Sequence, residues 1–431
     1  MNLNEMIEKL ANFNDQNIQE FIPGETHIPV SGKVYGSPEL KNALTAVMNF
    51  WLTEGEFSAE FSSKLKQFIG SRSIALCNSG SSANLLAISS ITNKKIPDHL
   101  EQGDEVITSA VGFPTTVSPI LQNNLRPVFI DIELGTYNVI AERIESAISS
   151  KTKAICIAHT LGNPFNLQIV TDIAKKYNLF LIEDTCDALG ATYSDKKVGT
   201  FGELATLSFY PAHHITTGEG GAVLINKLIF KPVIESLRDW GRDCWCATGF
   251  DNTCKKRFDW KFENLPFGYD HKYTYSNLGY NLKIGDIHSA IGLAQLERLE
   301  LFVESRRANW EYLHTGLKKF EDFLILPSAT PNSNPSWFGF AITIKKSAPF
   351  ERVELINYLD THKIGTRLLF GGNLTRQPAF SKTNFRIHGD LSNSDYVTEN
   401  TFWIGVWPGL TESHLEYMVG KISEFIRNLK L

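Results

Sequence analysis

The 431-residue sequence is poor in several features that would point away from small-molecule chemistry. Basic residues are not in excess: 42 Lys and Arg stand against 47 Asp and Glu, a net charge of −5. There is therefore no cationic footprint for nucleic acid or an anionic membrane. No uninterrupted apolar run reaches the roughly 18 residues of a membrane span. The opening MNLNEMIEKLANFNDQ carries acids where an export signal would have a basic start and an apolar stretch, which sets the expectation of a cytoplasmic protein. Cysteine is sparse, at six. In a reducing compartment a clustered subset reads as metal-binding before it reads as disulfides. Neither a repeat of about 20 to 50 residues nor a low-complexity tract occurs, so a solenoid or a disordered tail is not indicated.

What is present is the composition of a globular enzyme-sized chain, 42% hydrophobic and 21% charged, long enough for about two to three domains. Ser37-Pro38 reads as a helix start and Gly55 as its stop; a second helix is expected from near Ser58 to Gly70. Then SIALC (73–77), EVITS (105–109), PVFID (127–131), KAICIAH (153–159) and LFLIED (179–184) alternate with helical segments, the βα pattern of a mostly parallel sheet. ATLSF (205–209) and GAVLIN (221–226) add two strands. One long helical pattern over 286–318 leads to a smaller domain with a strand at 337–345 and a helix near 351–362. The expected division is an N-terminal segment 1–35, a large domain 36–290 and a small C-terminal domain 291–431. Within the large domain, 227–280 reads as an irregular insertion whose aromatic residues argue against disorder.

Asn78-Ser79-Gly80-Ser81-Ser82 lies between a predicted strand and helix, where free N–H groups and the helix dipole favour an anion; ordinary helix capping is the alternative. Asp184 ends a predicted buried strand, at the edge where open α/β sheets bind ligands. A carboxylate there needs a cation or a protonated ring nitrogen, unless it caps the next helix.

These residues, with Gly112-Phe113-Pro114, Ser208-Phe209, Gly218-Glu219-Gly220-Gly221 and Gly279-Tyr280-Asn281, form an ordered set that resembles the sugar-nucleotide aminotransferase family. The resemblance implies an α/β aspartate-aminotransferase-like fold (fold type I) and a vitamin B6 cofactor. It also implies that Gly80, Ser81 and Ser208 hold the cofactor phosphate, that Phe113 stacks on its ring, and that Asp184 pairs with the ring nitrogen. Asp187 would lie near the ring hydroxyl, with Tyr210 close by, and Asn281 would reach the phosphate of a neighbouring subunit in a homodimer. The departure is at Ser208 + 5, where a transaminase has its covalent lysine and this chain has His213; no lysine occurs from Val198 to Asn226. Imidazole cannot take the covalent role but can accept and return a proton. His213 thus resembles the base of the 3-dehydratases of deoxysugar biosynthesis, which implies pyridoxamine phosphate held noncovalently. His214 is given no role.

By spacing alone, Cys186, Cys244, Cys246 and Cys254 suit zinc or an iron–sulfur cluster equally, while Cys77 and Cys156 read as buried strand residues. DWGRDCWC (239–246) and FDNTCKKRF (250–258) resemble the iron–sulfur 3-dehydrases of CDP-linked 4-keto-6-deoxyhexoses. That likeness implies a [2Fe–2S] cluster on the four cysteines and synthesis of 3,6-dideoxyhexoses for lipopolysaccharide O-antigen. With no GxGxxG dinucleotide turn in the chain, it also implies a separate NADH-dependent flavin and iron–sulfur reductase as partner. The same chemistry on a TDP-linked 4-keto-2,6-dideoxyhexose, a cluster-free dehydratase and a zinc-braced binding protein are the other readings. Arg367 and Arg376 are candidates for the substrate's diphosphate or for surface ion pairs, and Lys283 stands where many relatives have arginine.

Overall fold

The computed structural model describes residues 5–9 and 20–429; part of the expected 1–35 segment lies outside these. Helix α1, Ser37–Asn49, is capped at Gly36, one residue before the expected Ser37, because the Glu39 carboxylate reaches back to accept the Gly36 N–H at 2.9 Å. It ends at Phe50 in the left-handed region (φ 54°), well before Gly55. Helix α2, Glu56–Ile69, starts earlier than Ser58 because a distant carboxylate caps it: Asp286 accepts from Gly55 N, Ser58 N and Ser58 Oγ at 3.0, 2.8 and 2.7 Å. Gly70 closes it with φ 88°.

The central sheet has eight strands. β1 (Ser73–Cys77), β2 (Glu105–Ser109), β3 (Arg126–Ile130), β4 (Thr152–Ala158), β5 (Phe180–Asp184), β6 (Leu204–Ser208) and β7 (Gly221–Ile225) lie within a residue or two of the expected runs. The order is β1-β7-β6-β5-β4-β2-β3-β8, where β8 is Arg386–Ile387. β6, β5, β4, β2, β3 and β8 run parallel, and β7 is antiparallel to both β6 and β1. Most β-strand residues are buried, as expected for a sheet covered on both faces. Helix α3, Gly80–Ile91, packs its Leu86, Ile88 and Ile91 into that core.

The edge strand β8 comes from the C-terminal third of the chain and is pinned electrostatically: Arg386 grips Glu105 with bonds of 2.9 and 2.7 Å. Burial works against the Glu105 charge, but Arg386 and the Ser149 and Thr152 hydroxyls outweigh it and hold the pKa at about 2.

Two expectations are corrected. The 286–318 helix is two, α4 (Asp286–Leu296) and α5 (Leu299–Leu317), separated by a tight turn in which Arg298 N–H donates to Gln295 O. The 227–280 segment is not irregular throughout: Lys231–Arg238 is a helix that buries Val233, Ile234 and Leu237. Beyond α5, a four-stranded antiparallel sheet (Leu324–Ile325, Gly339–Ile344, Thr401–Gly405, Arg367–Leu368) packs against α5 and the helices Arg352–Thr361 and Glu412–Arg427 around a separate apolar core.

Gly162 joins these layers. Its φ is +86°, and a Cβ there would sit 1.9 Å from Ser336 O and 2.8 Å from Asp187 O. Gly162→Ala is expected to cost roughly 3 kcal/mol or more through backbone strain and overpacking, read as a lowered urea midpoint. An unchanged midpoint would show that this contact does not constrain the fold.

Candidate functional site

The C-terminal ends of β5 and β6 and the N-terminus of α3 converge. Ser79 caps α3 by accepting the Ser82 N–H at 3.1 Å, so the following N–H groups of the first turn face the strand ends. A Cβ on Gly80 would lie 2.5 Å from Ser208 Cβ and 3.1 Å from Cys186 Sγ, and one on Gly221 would meet Ser79 O at 2.4 Å. Glycine at both positions is therefore what lets Ser208 close on the helix terminus. Ser81 Oγ bonds Thr115 Oγ1 at 3.0 Å, and Ser208 Oγ accepts the Tyr210 N–H at 3.3 Å. Gly80 and Ser208 thus meet at the helix terminus, with the Ser81 hydroxyl turned to Thr115.

Asp184 is buried beside it. Its Oδ2 accepts from Asn84 Nδ2 at 2.9 Å and Thr116 Oγ1 at 2.6 Å, and its Oδ1 accepts the Cys186 N–H at 3.2 Å. Thr206 Oγ1 in turn donates to Asn84 Oδ1 at 2.7 Å and so fixes which end of the amide faces the carboxylate. Asn84 and Thr116 were not foreseen; the usable signal was their spacing, four residues after Gly80 and three after Phe113. Phe113, 53% exposed, packs edge-on against Phe370, and Tyr210 is equally open.

His213 sits on the β6–β7 connection. Its N–H closes a turn onto Tyr210 O at 2.9 Å, and Arg306, 93 residues away, donates to its carbonyl at 3.1 Å while also binding Trp337 O and Phe338 O. Nδ1 is 3.5 Å from Asp187 Oδ1, too long for a hydrogen bond, and has no bonding partner. Burial, assisted by Arg306, lowers its pKa to about 4 despite the attraction of Asp184. Burial and the Asp184 charge push Asp187 well above the ordinary carboxylate range. Burial thus favours the uncharged form of both groups, placing an unprotonated imidazole beside a carboxyl of raised proton affinity. His214 points away and bonds Ser336 O through Nε2 at 2.8 Å.

The Cys244, Cys246 and Cys254 sulfurs lie within 4.8 Å of one another. Cys186 lies apart from this close trio. It lies against Gly80, and its sulfur is 4.0 Å from Thr206 Oγ1, because the turn after β5 holds it in the Asp184 pocket. The unforeseen neighbour of the trio is His271, whose Nδ1 is 3.4 Å from Cys254 Sγ. Cys77 and Cys156 are buried, as expected, and burial raises both thiol pKa values. Asn281 is exposed and pairs through its backbone with Asp239. Lys283 Nζ is 3.4 Å from Asp239 Oδ1 and 3.6 Å from the Trp240 ring centre. Arg376 spends its charge on Asp395 and Glu399 at the surface, and Arg367 is exposed.

Residues 35–423 match the profile of the DegT/DnrJ/EryC1/StrS aminotransferase family. The chain belongs to that family. Among its relatives, the lipopolysaccharide biosynthesis protein RfbH of Salmonella typhimurium is 56% identical over 428 residues, 98% of each chain. The dTDP-4-dehydro-2,6-dideoxy-D-glucose 3-dehydratase of Saccharopolyspora spinosa is 52% identical over 96% of this chain and 89% of its own. The solved structure of Escherichia coli GDP-4-keto-6-deoxy-D-mannose-3-dehydratase with bound hydrated PLP superposes with a TM-score of 0.82 at 28% identity, covering 91% of this chain and 98% of that one. The architecture is the type I fold of this family. Against that background the site fits a phosphorylated pyridine cofactor: a helix-terminal anion cradle, a buried carboxylate for a ring nitrogen, and an orphaned imidazole nitrogen.

The depressed His213 pKa has a measurable consequence. The unfolded imidazole binds a proton below about pH 6.5, whereas the folded one resists it down to about 4. The His213 contribution to stability is therefore complete above pH 6.5 and is lost as pH falls toward 4. His213→Asn is expected to lose less stability than the parent between pH 7 and 4.5, by about 2 to 3 kcal/mol in urea titrations. Equal losses would show that the folded His213 titrates normally.

Proposed function

We propose that this family member is a pyridoxamine-phosphate-dependent, iron–sulfur 3-dehydrase that removes the C3 hydroxyl of CDP-4-keto-6-deoxyglucose in 3,6-dideoxyhexose synthesis. The observation that carries the reading is His213, a buried neutral imidazole with a free Nδ1 standing where a transaminase needs lysine. The 3-dehydratase relatives support the reaction class, and RfbH supports a lipopolysaccharide setting. The 52% relative named for a dTDP sugar supports a TDP-linked 4-keto-2,6-dideoxyhexose about as well.

When bound, pyridoxamine phosphate supplies an amine for the 4-keto carbon and a conjugated ring that accepts an electron pair. The α3 N-terminus and Ser208 would hold its phosphate, and Phe113 would cover the ring. Asp184, bonded by Asn84, Thr116 and the Cys186 N–H, would hold a proton at the ring nitrogen. His213 would take the proton from the cofactor's C4′. Asp187, its proton affinity raised by burial and the Asp184 charge, would face the ring hydroxyl, with Tyr210 at the mouth. Cys186, Cys244, Cys246 and Cys254 would hold a [2Fe–2S] centre, which supplies electrons one at a time; the sulfurs of the last three lie within 4.8 Å of one another. A separate NADH-dependent flavin and iron–sulfur reductase would deliver them. The working unit would be a cytoplasmic homodimer in which Asn281 reaches the phosphate of the second subunit. No described helix is long and apolar enough to cross a membrane.

His213→Asn should retain bound cofactor, seen by absorption, while C3 deoxygenation falls at least 100-fold, in keeping with loss of a general base. Undiminished turnover would remove His213 from the mechanism. Product analysis with CDP-4-keto-6-deoxyglucose and the TDP-linked dideoxy sugar, under anaerobic conditions with a reductant, is expected to favour the CDP substrate. Preference for the TDP sugar would replace it with the second reading, and zinc in place of iron would remove the electron-transfer step.

A further inference from the structure

The chain that follows the edge strand Arg367–Leu368 of the small sheet is stitched to the loop that carries Phe113. Gly371 N–H donates to Gly112 O at 3.2 Å and Leu374 N–H to Ala110 O at 2.8 Å, with an antiparallel bridge between Val111 and Asn373. Phe370, at the start of these ties, has φ +48°, a left-handed conformation that is costly for a bulky side chain. The surrounding bonds hold it there. Phe370 N–H closes onto Leu368 O at 2.7 Å, Gly372 N–H onto Leu369 O at 2.9 Å, and the Gln377 amide onto Gly371 O at 2.8 Å. Backbone strain persists only where its surroundings over-determine it, and it gathers at ligand clamps.

What the strained backbone achieves is the placement of one ring. Phe370 stands edge-on to Phe113, with centroids 6.1 Å apart, and 6.3 Å from Phe338, whose ring lies 5.1 Å from that of His213. It packs, only partly buried, on the apolar cluster of Leu161, Phe338, Leu369 and Trp403, as does Ala212, the residue before His213. An aromatic wall therefore runs from Phe113 to the imidazole, and Phe370 is its middle. In both substrates considered above, the 4-keto carbon that must reach the cofactor is flanked by C3, with its hydroxyl, and by C5, with the C6 methyl. The diphosphate hangs from C1, farther off. Of the groups next to the reacting carbon, the methyl is the one that phenyl rings suit.

We propose that Phe370 is a specificity-determining residue whose ring receives the C6 methyl and so selects 6-deoxy sugars over their 6-hydroxylated counterparts. The proposal rests on the 3-dehydrase reading but not on its choice of base, since the CDP- and TDP-linked substrates both carry the methyl. A 6-hydroxyl pressed against this wall would lose water without gaining a partner. Apolar pockets discriminate against an added hydroxyl by up to about 100-fold.

The test uses full-length protein loaded with pyridoxamine phosphate, as parent, F370L, F370A and F370G. Calorimetry measures binding of CDP-6-deoxyglucose and CDP-glucose, and of the TDP-linked pair; all four have a 4-hydroxyl in place of the ketone and bind without condensing. The parent is expected to prefer the 6-deoxy member about tenfold or more, F370L to keep that preference, and F370A and F370G to fall below about threefold. Urea midpoints give a readout independent of ligand: F370G should unfold at higher urea than F370A, because glycine relieves the φ of +48°. A parent without the preference, or an F370A that keeps it, overturns the assignment and leaves the 3-dehydrase reading standing. An F370A at least as stable as F370G overturns the strained placement on which the assignment depends. A loaded parent that binds neither pair overturns the assignment together with the substrate reading.

Discussion

A carboxylate buried at the end of a parallel strand has to be held, and in this protein much of the site is arranged around holding Asp184. Left unpartnered, its charge would cost several kcal/mol. It is instead met by an amide from α3, a hydroxyl that follows Phe113 and the N–H of the next turn. Each of these contacts places another functional element. Asn84 ties α3, and hence the anion cradle at its N-terminus, to the strand end; Thr116 does the same for the loop that carries Phe113; the Cys186 N–H shapes the turn leading to Asp187. The Asp184 charge then acts on its neighbours, opposing ionisation of Asp187 and attracting protons toward His213.

Replacement of a lysine by a histidine would be chemically idle if the imidazole were solvated or bonded to a fixed partner. Arg306 works against solvation, and Nδ1 has no hydrogen-bond partner. By binding the carbonyls of His213, Trp337 and Phe338 at once, it clamps the β6–β7 connection onto the C-terminal layer and buries the ring. Its positive charge adds to burial in keeping the imidazole neutral. On the proposed reading, one scaffold serves transaminase and dehydratase chemistry, the difference lying in one side chain and the environment that lowers its proton affinity.

The cysteine-bearing segment follows a different logic. It has little regular structure between residues 239 and 285, and its order comes from polar ties and aromatic packing around His271: Asp243, Trp245, Trp260 and Cys254 all converge on that ring. A motif of three closely set cysteines was visible as a metal signal because its members are near in sequence.

Read alone, the sequence determined the strands of the parallel sheet, since runs of buried aliphatic residues between helical patterns admit few other arrangements. It also determined the family, through an ordered set of cofactor-site motifs, and the replacement of the catalytic lysine by His213. Tertiary structure decided what depends on long-range contact. Asp286 moved the start of α2 across some 230 residues, Arg386 carried a C-terminal strand back to the large sheet, and burial, with Arg306, lowered the proton affinity of His213. In each case a charged or hydrogen-bonding group selects a partner by proximity in the folded chain, and sequence spacing carries no record of that proximity.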